Sequence, residues 1–356
     1  MKESRFMPDL PSVRRFVSDT GVRVYRIACN VFPDLDLTGR VYLLLGAGPP
    51  TLVDTGSGSE ESTKDIFQGL ELVRSQFGES VQLDDVKRIL MTHAHVDHFG
   101  GLPDILHHAP AEVGVHPLDC RMIAAYDERS VVANNLLRAF LVQAGLSPER
   151  QTEIIETGRH RQKPVGRAWA TFALRDGDEL DGLRFIHTPG HAPGHVCIRI
   201  GDILLTGDHI LARTVSQQWP ESTSAYLGLG HYLDSLEKIR RLEGIRVALG
   251  GHEPPIENLH RRIDEIRQSN FRRLDRLLGI LDRAPEPLTI EEATRHMYAH
   301  QHGFQALLAL TDVGARIEYL DQHGRLSITN LSEMAGAALP VYRYRPSARL
   351  LPEARG

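Results

Sequence analysis

The chain has 356 residues, 41% hydrophobic and 24% charged, with 41 basic and 46 acidic side chains and a formal net charge of −5. That length is enough for two domains and a sizeable core, and the composition is that of an ordinary soluble globular protein. The acidic balance offers no overall attraction to nucleic acid or an anionic membrane, and no apolar run approaches the ~20 residues of a membrane span. The N-terminal Met1-Lys2-Glu3-Ser4-Arg5-Phe6 is charged and lacks the apolar core of a signal peptide. Cys29, Cys120 and Cys197 are widely spaced and form no CxxC, and an odd count suits a reducing cytosol. A cytoplasmic location is the expectation.

In chain order, residues 22–32 and 40–54 are rich in Val, Leu and Tyr and predict β-strands, with a turn at Ala47-Gly48-Pro49-Pro50. Ile66, Leu70 and Val73 lie at helical spacing and predict a helix over 62–77. An apolar run over 86–91 reads as a buried strand. In the segment 118–160, Met122-Ile123, Val131-Val132, Leu136-Leu137 and Phe140-Leu141 predict two amphipathic helices. Short apolar strands are expected at 183–186, 203–205 and 247–249, and Cys197 alternates with Val196 and Ile198 as a packed strand residue. A polar loop over 213–230 contains Trp219, Pro220, Ser224 and Tyr226, and a helix over 231–242 follows. The tail predicts a long Arg-rich helix over 256–281 and a break at Ala284-Pro285-Glu286-Pro287. Next comes a helix over 290–298 opened by the capping box Thr289/Glu292. A third helix over 304–320 and two hairpin strands, at 324–327 and 339–344, complete it.

The chemistry concentrates at strand ends. His93-Ala94-His95-Val96-Asp97-His98 follows the 86–91 strand and precedes a Gly100-Gly101 turn, placing four potential ligands within six residues. Histidines also cluster by chance in solvated loops, but the strand before and the glycine turn after are the context a ligand motif requires. Neutral imidazoles and a carboxylate suit zinc or iron. His93 and His95 can point to one side and Asp97 and His98 to a neighbouring position, so one loop can serve two ions. Asp54-Thr55-Gly56, Pro189-Gly190-His191, Thr206-Gly207-Asp208 and Gly250-Gly251-His252 each also end a short apolar strand in a glycine-containing turn. Five such strand ends at one edge of a sheet sandwich would converge on a metal centre.

This ordered set resembles the metallo-β-lactamase-fold hydrolases over about residues 20–258: a strand-end Asp, HxHxDH, a later His, a bridging Asp and a last His. The resemblance implies an α/β protein, an αββα sandwich. It implies that His93, His95 and His191 bind one metal, that Asp97, His98 and His252 bind a second, and that Asp208 bridges them. Asp54 would orient the HxHxDH loop through hydrogen bonds, and His209, next to the bridging Asp, would lie just outside the ligands. His195, His187 and His116 read as structural. The Asp at the bridging position, where true β-lactamases of the family commonly carry Cys, argues against antibiotic hydrolysis.

The tail pattern of three helices and a wing resembles the winged-helix domain of one branch of that superfamily, the beta-lactamase-like protein 2 and glyoxalase II-like branch, some of whose members cleave RNA. The expected domains are therefore a catalytic unit, 1–258, with a helical lid at 118–160, and a winged-helix-like unit, 259–356. Residues 259–356 carry 14 Arg, no Lys and 12 acidic side chains, a net charge of +2 against −7 for the remainder. A nucleic-acid reader is normally far more basic, so the tail reads as a packing, dimerisation or pocket-closing module. Arg343 and Arg345, interleaved with Tyr342 and Tyr344, keep RNA as a second candidate partner.

The resemblance implies two divalent ions, zinc first and iron or manganese as alternatives, sharing a hydroxide whose pKa falls from 15.7 to about 7. Asp208 would hold the bridge, and Asp97 would orient the nucleophile as well as ligate. The favoured substrate is a small thioester, ester or lactone, with Trp219 lining the acyl site and Tyr226 facing a developing oxyanion. The alternatives are an endoribonuclease or phosphodiesterase, and a mononuclear iron oxygenase or non-catalytic metal-binding protein. A homodimer is the default oligomer.

Overall fold

The computed structural model describes residues 11–33, 37–159, 165–299 and 301–347. The charged N-terminal hexapeptide and residue 160 of the insertion lie outside them. The first sheet runs β1 (Ser12–Val17), β2 (Arg23–Phe32), β3 (Leu37–Leu45), β4 (Thr51–Val53), β5 (Arg88–Leu90), β6 (Glu112–Val115), β7 (Phe172–Ala173) in spatial as in chain order. The second contains β8 (Glu179–Leu180), β9 (Leu183–His187), β10 (Val196–Ile200), β11 (Ile203–Gly207) and β12 (Val247–Gly250), in the order β12-β11-β10-β9-β8. A small antiparallel pair, β13 (Leu326–Ile328) and β14 (Tyr344–Pro346), lies in the tail. The helices are α1 (Glu60–Phe77), α2 (Val96–Phe99), α3 (Leu102–His108), α4 (Cys120–Ala124), α5 (Tyr126–Gln143), α6 (Pro148–Arg159), α7 (Leu229–Arg240), α8 (Leu259–Arg283), α9 (Ile290–Met297), α10 (Gly303–Gln322) and α11 (Leu331–Met334).

Side chains alternate across a strand, so each strand feeds two cores. Val24, Leu44, Val53 and Leu90 of the first sheet meet Phe185, Ile198, Leu205 and Leu249 of the second. Ile27, Leu43 and Ile89 face the other way, onto Ile66 and Leu70 of α1 and Leu102 and Ile105 of α3. Cys197, Leu204 and Ala248 face out onto Tyr232 and Leu236 of α7 and Ile263 and Ile266 of α8. The result is helices, sheet, sheet, helices, with Cys197 as core packing. Strand direction then places the site. β4, β5 and β6 are mutually parallel; β9 and β11 are both antiparallel to β10, and β12 is parallel to β11. The polar strand ends therefore leave each sheet at one edge.

Several elements differ from expectation. β1 was not expected; its exposed Arg14 and Arg15 hide the alternation of an edge strand. The turn expected at 47–50 is present and separates β3 from β4. α1 starts two residues early because Ser59 caps it, accepting from the Ser62 N–H. The 118–160 insertion holds three helices, not two, because Ala125 (φ −148°, ψ 53°) breaks α4 from α5. The second tail strand falls at Tyr344–Pro346, not 339–344: Pro340 cannot donate to a ladder, and the Arg343 N–H is taken by Asn330 Oδ1 at 3.1 Å. The capping box is present as expected, with Glu292 N to Thr289 Oγ1 at 3.1 Å and Thr289 N to Glu292 Oε2 at 2.8 Å.

The insertion and the tail share one core. Leu137, Phe140 and Leu141 of α5 and Ile154 and Ile155 of α6 belong to the same cluster as Ile290 of α9 and Val313 and Ile317 of α10. Tyr342 N donates to Gln143 O (3.1 Å), and Glu291 N to Ala144 O (2.9 Å), tying the tail to the end of α5. Arg316 of α10 is fully buried. Its guanidinium lies 2.5 Å from Asp312 Oδ1 and donates to Asn270 Oδ1 of α8 at 2.8 Å, while the Tyr298 hydroxyl donates to Asp312 Oδ2 at 2.8 Å. Removing one partner of a buried pair strands the other charge. Asp312→Ala is expected to destabilise the protein by about 3–5 kcal/mol in urea unfolding; a loss under about 1 kcal/mol would mean that Arg316 finds other compensation.

Candidate metal centre

The HxHxDH segment leaves β5, turns through His95 in extended conformation and enters α2. Its rings converge with residues from the other strand ends. His93, His95 and His191 bring one ligand atom each within 4.8 Å of one another, as do Asp97, His98 and His252, and as do His93, His98 and Asp208. Asp208 Oδ2 lies 3.7 Å from His191 Nε2 and 3.4 Å from His252 Nε2, and its Oδ1 lies 3.4 Å from His98 Nε2. Asp97 Oδ2 lies 3.3 Å from His252 Nε2. One carboxylate thus faces both groups of histidines.

Among the described residues, each ring but that of His95 is pinned on its far side. His98 Nδ1 donates to Asp54 Oδ2 at 2.8 Å, His252 Nδ1 to Thr38 O at 2.8 Å, and His191 Nδ1 to Gln217 O at 3.1 Å. Thr92 Oγ1 donates to Asp54 Oδ2 (2.8 Å) and so accepts from His93 Nδ1 (3.0 Å). Such bonds fix the tautomer and turn the Nε2 lone pair inward. The inward atoms His93 Nε2, His98 Nε2, His191 Nε2 and Asp208 Oδ1 are buried and have no hydrogen-bond partner among the described residues. Buried polar atoms ordinarily find partners; imidazole and carboxylate atoms aimed at one another's neighbourhood fit a divalent cation.

The electrostatics agree. Burial lowers the pKa of His93 and His191, and pushes that of His95 down to about 3, so these rings are neutral donors. Burial also works against charge on His98 and His252, but Asp208 and its neighbouring carboxylates outweigh it, raising His98 well above its usual range and His252 to about 10. Burial opposes the charge on Asp97 too, yet His252 and His98 hold it at about 2. The positive charge that the carboxylates draw onto these two rings is the charge a bound cation supplies in its place.

Local backbone serves the same end. Asp54 sits at φ 61°, and Glu253, next to His252, at φ 63°. Non-glycine residues in this region are uncommon and cluster at functional sites. Asp54 is held there by Thr92 N at 2.8 Å as well as by His98. Gly251 has no alternative: a Cβ there would lie 2.5 Å from Asp208 Oδ1.

The metallo-beta-lactamase superfamily model matches residues 36–280. The chain belongs to the metallo-beta-lactamase superfamily. The match runs past the expected domain boundary at 258 and into α8. Superfamily relatives include the beta-lactamase-like protein 2 homolog of Drosophila melanogaster, 26% identical over 349 residues that cover 96% of this chain and 99% of that protein. An atrochrysone carboxyl ACP thioesterase of Aspergillus chevalieri is 26% identical, covering 77% of this chain and 70% of that one. Among solved structures, a metallo-beta-lactamase family protein from Thermus thermophilus superposes with TM-score 0.69 at 27% identity, covering 91% of this chain and 98% of that one. A beta-lactamase domain protein from Burkholderia ambifaria shares the fold, with TM-score 0.71 at 20% identity, covering 97% and 96%. Members of this superfamily are generally hydrolases.

The structure brings together all seven residues expected as metal ligands, with Asp54 behind His98. His209 is buried, with its ring facing Tyr232 at 5.0 Å and His195 at 5.8 Å. His195 Nε2 accepts from the Asp208 N–H at 3.2 Å, and Thr188 Oγ1 lies 2.8 Å from its Nδ1. His187 stacks on His116 at 4.0 Å, and its Nε2 bonds the Pro193 carbonyl at 2.8 Å. Trp219 is partly buried against the helical core rather than open to solvent. Tyr226 is exposed, at φ 68°, with its ring 6.3 Å from that of His187.

The residue that sequence reasoning missed is Asp119. Its Oδ2 accepts from Ala94 N at 2.9 Å and its Oδ1 from Gly194 N at 2.8 Å, so one buried carboxylate staples the HxHxDH loop to the loop carrying His191. The available signal was its place just beyond β6, which runs parallel to β5 and ends at the same edge. Asp119→Ala is expected to weaken zinc binding by about 10- to 100-fold, measured by competition with a chromophoric chelator; wild-type affinity would show that the two loops hold their own positions.

Proposed function

We propose that this protein is a hydrolase that uses a hydroxide bridged by two metal ions, zinc first and iron or manganese as alternatives, and acts on a small thioester, ester or lactone. The observation that carries the reading is the pair of three-residue ligand groups joined by Asp208, with His93 Nε2, His98 Nε2 and His191 Nε2 buried and without a hydrogen-bond partner among the described residues. Two divalent ions there would lower the pKa of a shared water from 15.7 to about 7 and polarise the substrate oxygen.

The chain's own residues supply the rest. Asp208 spans both groups, and Asp97 reaches His252 and faces the same space. Asp54 holds His98 and Thr92, and through Thr92 it holds His93. A thiolate nucleophile is disfavoured: burial pushes the Cys29 and Cys197 thiols up to about 12 and raises Cys120. A mononuclear site is disfavoured because Asp97, His98 and His252 are in place beside the first group. The thioesterase among the relatives supports an acyl substrate. Tyr226 and the 118–160 insertion remain the residues we assign to the substrate side; Trp219 is the weaker assignment because it packs inward.

We read residues 259–356 as a winged-helix-like module of packing and pocket closure, following the 1–258 catalytic unit. The helices α8, α9 and α10 and the antiparallel strand pair support this. The second reading, an RNA-cleaving enzyme, is favoured by the Drosophila relative, whose similarity spans the tail. Against it, Arg343 donates to Pro287 O (3.1 Å) and lies 3.2 Å from Glu292, Arg345 donates to Pro285 O (3.0 Å), and Tyr344 is buried. A small-molecule substrate remains the proposed partner. Among the described residues no helix is long and apolar enough to cross a membrane.

Two measurements test the reading. Chelation is expected to abolish hydrolysis of a short-chain acyl thioester, and zinc to restore it. Asp208→Ala is expected to lower turnover at least about 10³-fold, the scale of losing a principal electrostatic stabiliser, with an unchanged circular dichroism spectrum. Near-normal turnover in that variant would end the dinuclear reading. Metal-dependent cleavage of labelled single-stranded RNA, with no thioester turnover, would exchange the first substrate class for the second.

A further inference from the structure

The segment between Asp208 and α7 passes behind His191 as a strap. At its start, Glu253 Oε2 accepts from Arg213 N at 2.6 Å, and Arg262 of α8 donates to Leu211 O at 2.7 Å and Thr214 O at 2.6 Å. At its end, Glu318 of α10 accepts from Glu221 N at 2.6 Å and from the Ser222 hydroxyl. In the middle stands Gln217. Its backbone carbonyl receives the Nδ1–H of His191 at 3.1 Å. Its side-chain amide donates to Leu308 O at 2.9 Å and Thr311 Oγ1 at 3.2 Å, both on α10, and to Gln218 O at 3.1 Å. Three residues on, Pro220 packs so closely on α10 that a Cβ at Gly314 would lie 2.9 Å from its ring.

We infer that the C-terminal helix α10 is part of the support of the first metal group, and that Gln217 is the positioning residue through which α10 aims His191. The inference rests on the reading of His191 as a metal ligand. Its physical basis is the hydrogen bond behind a ligating imidazole, which sets the direction of the ligand atom. Here that acceptor sits on a loop with no regular secondary structure, so its position depends on what holds the loop. The only groups holding the Gln217 side chain, among the described residues, are its own neighbour Gln218 and two groups of α10. His252 and His98 take their outer bonds from Thr38 and Asp54, in the first sheet and at its edge. Through Gln217, α10 therefore acts on the group containing His191 and not on the other.

That asymmetry is the test. Zinc binding is followed by chelator competition in full-length protein, with His191→Ala and His252→Ala assigning the two affinities to the two groups. Cobalt substitution gives an independent spectrum of the ligand geometry. Gln217→Ala keeps the backbone carbonyl but removes the side-chain bonds that tie residue 217 itself to α10. It is expected to weaken the group containing His191 by about 10- to 100-fold, to change the cobalt spectrum, and to leave the other group at wild-type affinity. Equal weakening of both groups, or of neither, overturns the inference. If Gln217→Ala does not fold, Thr311→Val decides: removing one acceptor is expected to weaken the His191 group alone by about threefold, and no change overturns the inference. Retention of both ions by His191→Ala would instead overturn the assignment of His191 itself, and the inference with it.

Discussion

Seven ionisable side chains meet at the centre of this protein, and burying them is costly unless every polar atom has a partner. Their inner atoms must stay open for a cation, so the whole burden of satisfaction falls on their outer atoms. Asp54, Thr92, Thr38 and Gln217 carry it, one behind each of His98, His93, His252 and His191. The left-handed backbone at Asp54, a conformation that costs of order 1–3 kcal/mol in such residues, is tolerable because its carboxylate accepts three hydrogen bonds at 2.8 Å.

The sandwich makes that ring of support possible. Strands in both sheets deliver their polar ends to one edge, and the space between the sheets is closed by side chains such as Leu90, Val53, Leu205 and Leu249 immediately behind the site. Asp119 then joins the two halves, since Ala94 follows a strand of the first sheet and Gly194 precedes a strand of the second. Val196 N donates to Thr92 O at 2.8 Å across the same seam. A rigid scaffold with short loops is what a metal centre needs, because ligand geometry decides which ions are held and how strongly.

The insertion and the tail extend the support outward. Their helices share a continuous core on the outer face of the second sheet, so the insertion is anchored at its α5–α6 end, while Tyr126 at the start of α5 meets Phe99 of α2 at 5.5 Å. An element fixed at both ends can shape a pocket without being a free lid. The similarity to the Drosophila relative over 96% of this chain, and the TM-score of 0.69 over 91% of it, extend beyond the two-sheet sandwich.

Much of this was legible in the linear chain, for a physical reason. A ligand motif such as His93–His98 is local, a strand-end Asp or His announces itself by the apolar run before it, and helix periodicity and the Thr289–Glu292 box depend on neighbours a few residues apart. Those signals determined the set of His and Asp residues that converge, the sandwich class and the helices of the tail. Tertiary structure alone decided what stands behind the ligands. Asp119 lies 25 residues from Ala94, Gln217 lies 26 from His191, and Thr38 lies 214 from His252. Hydrogen bonds over such separations leave no period in the sequence, and two of these three acceptors are backbone carbonyls, which any residue type provides. The same holds for the tail, whose pattern of helices was readable but whose grip on Gln217 depends on where the strap crosses α10.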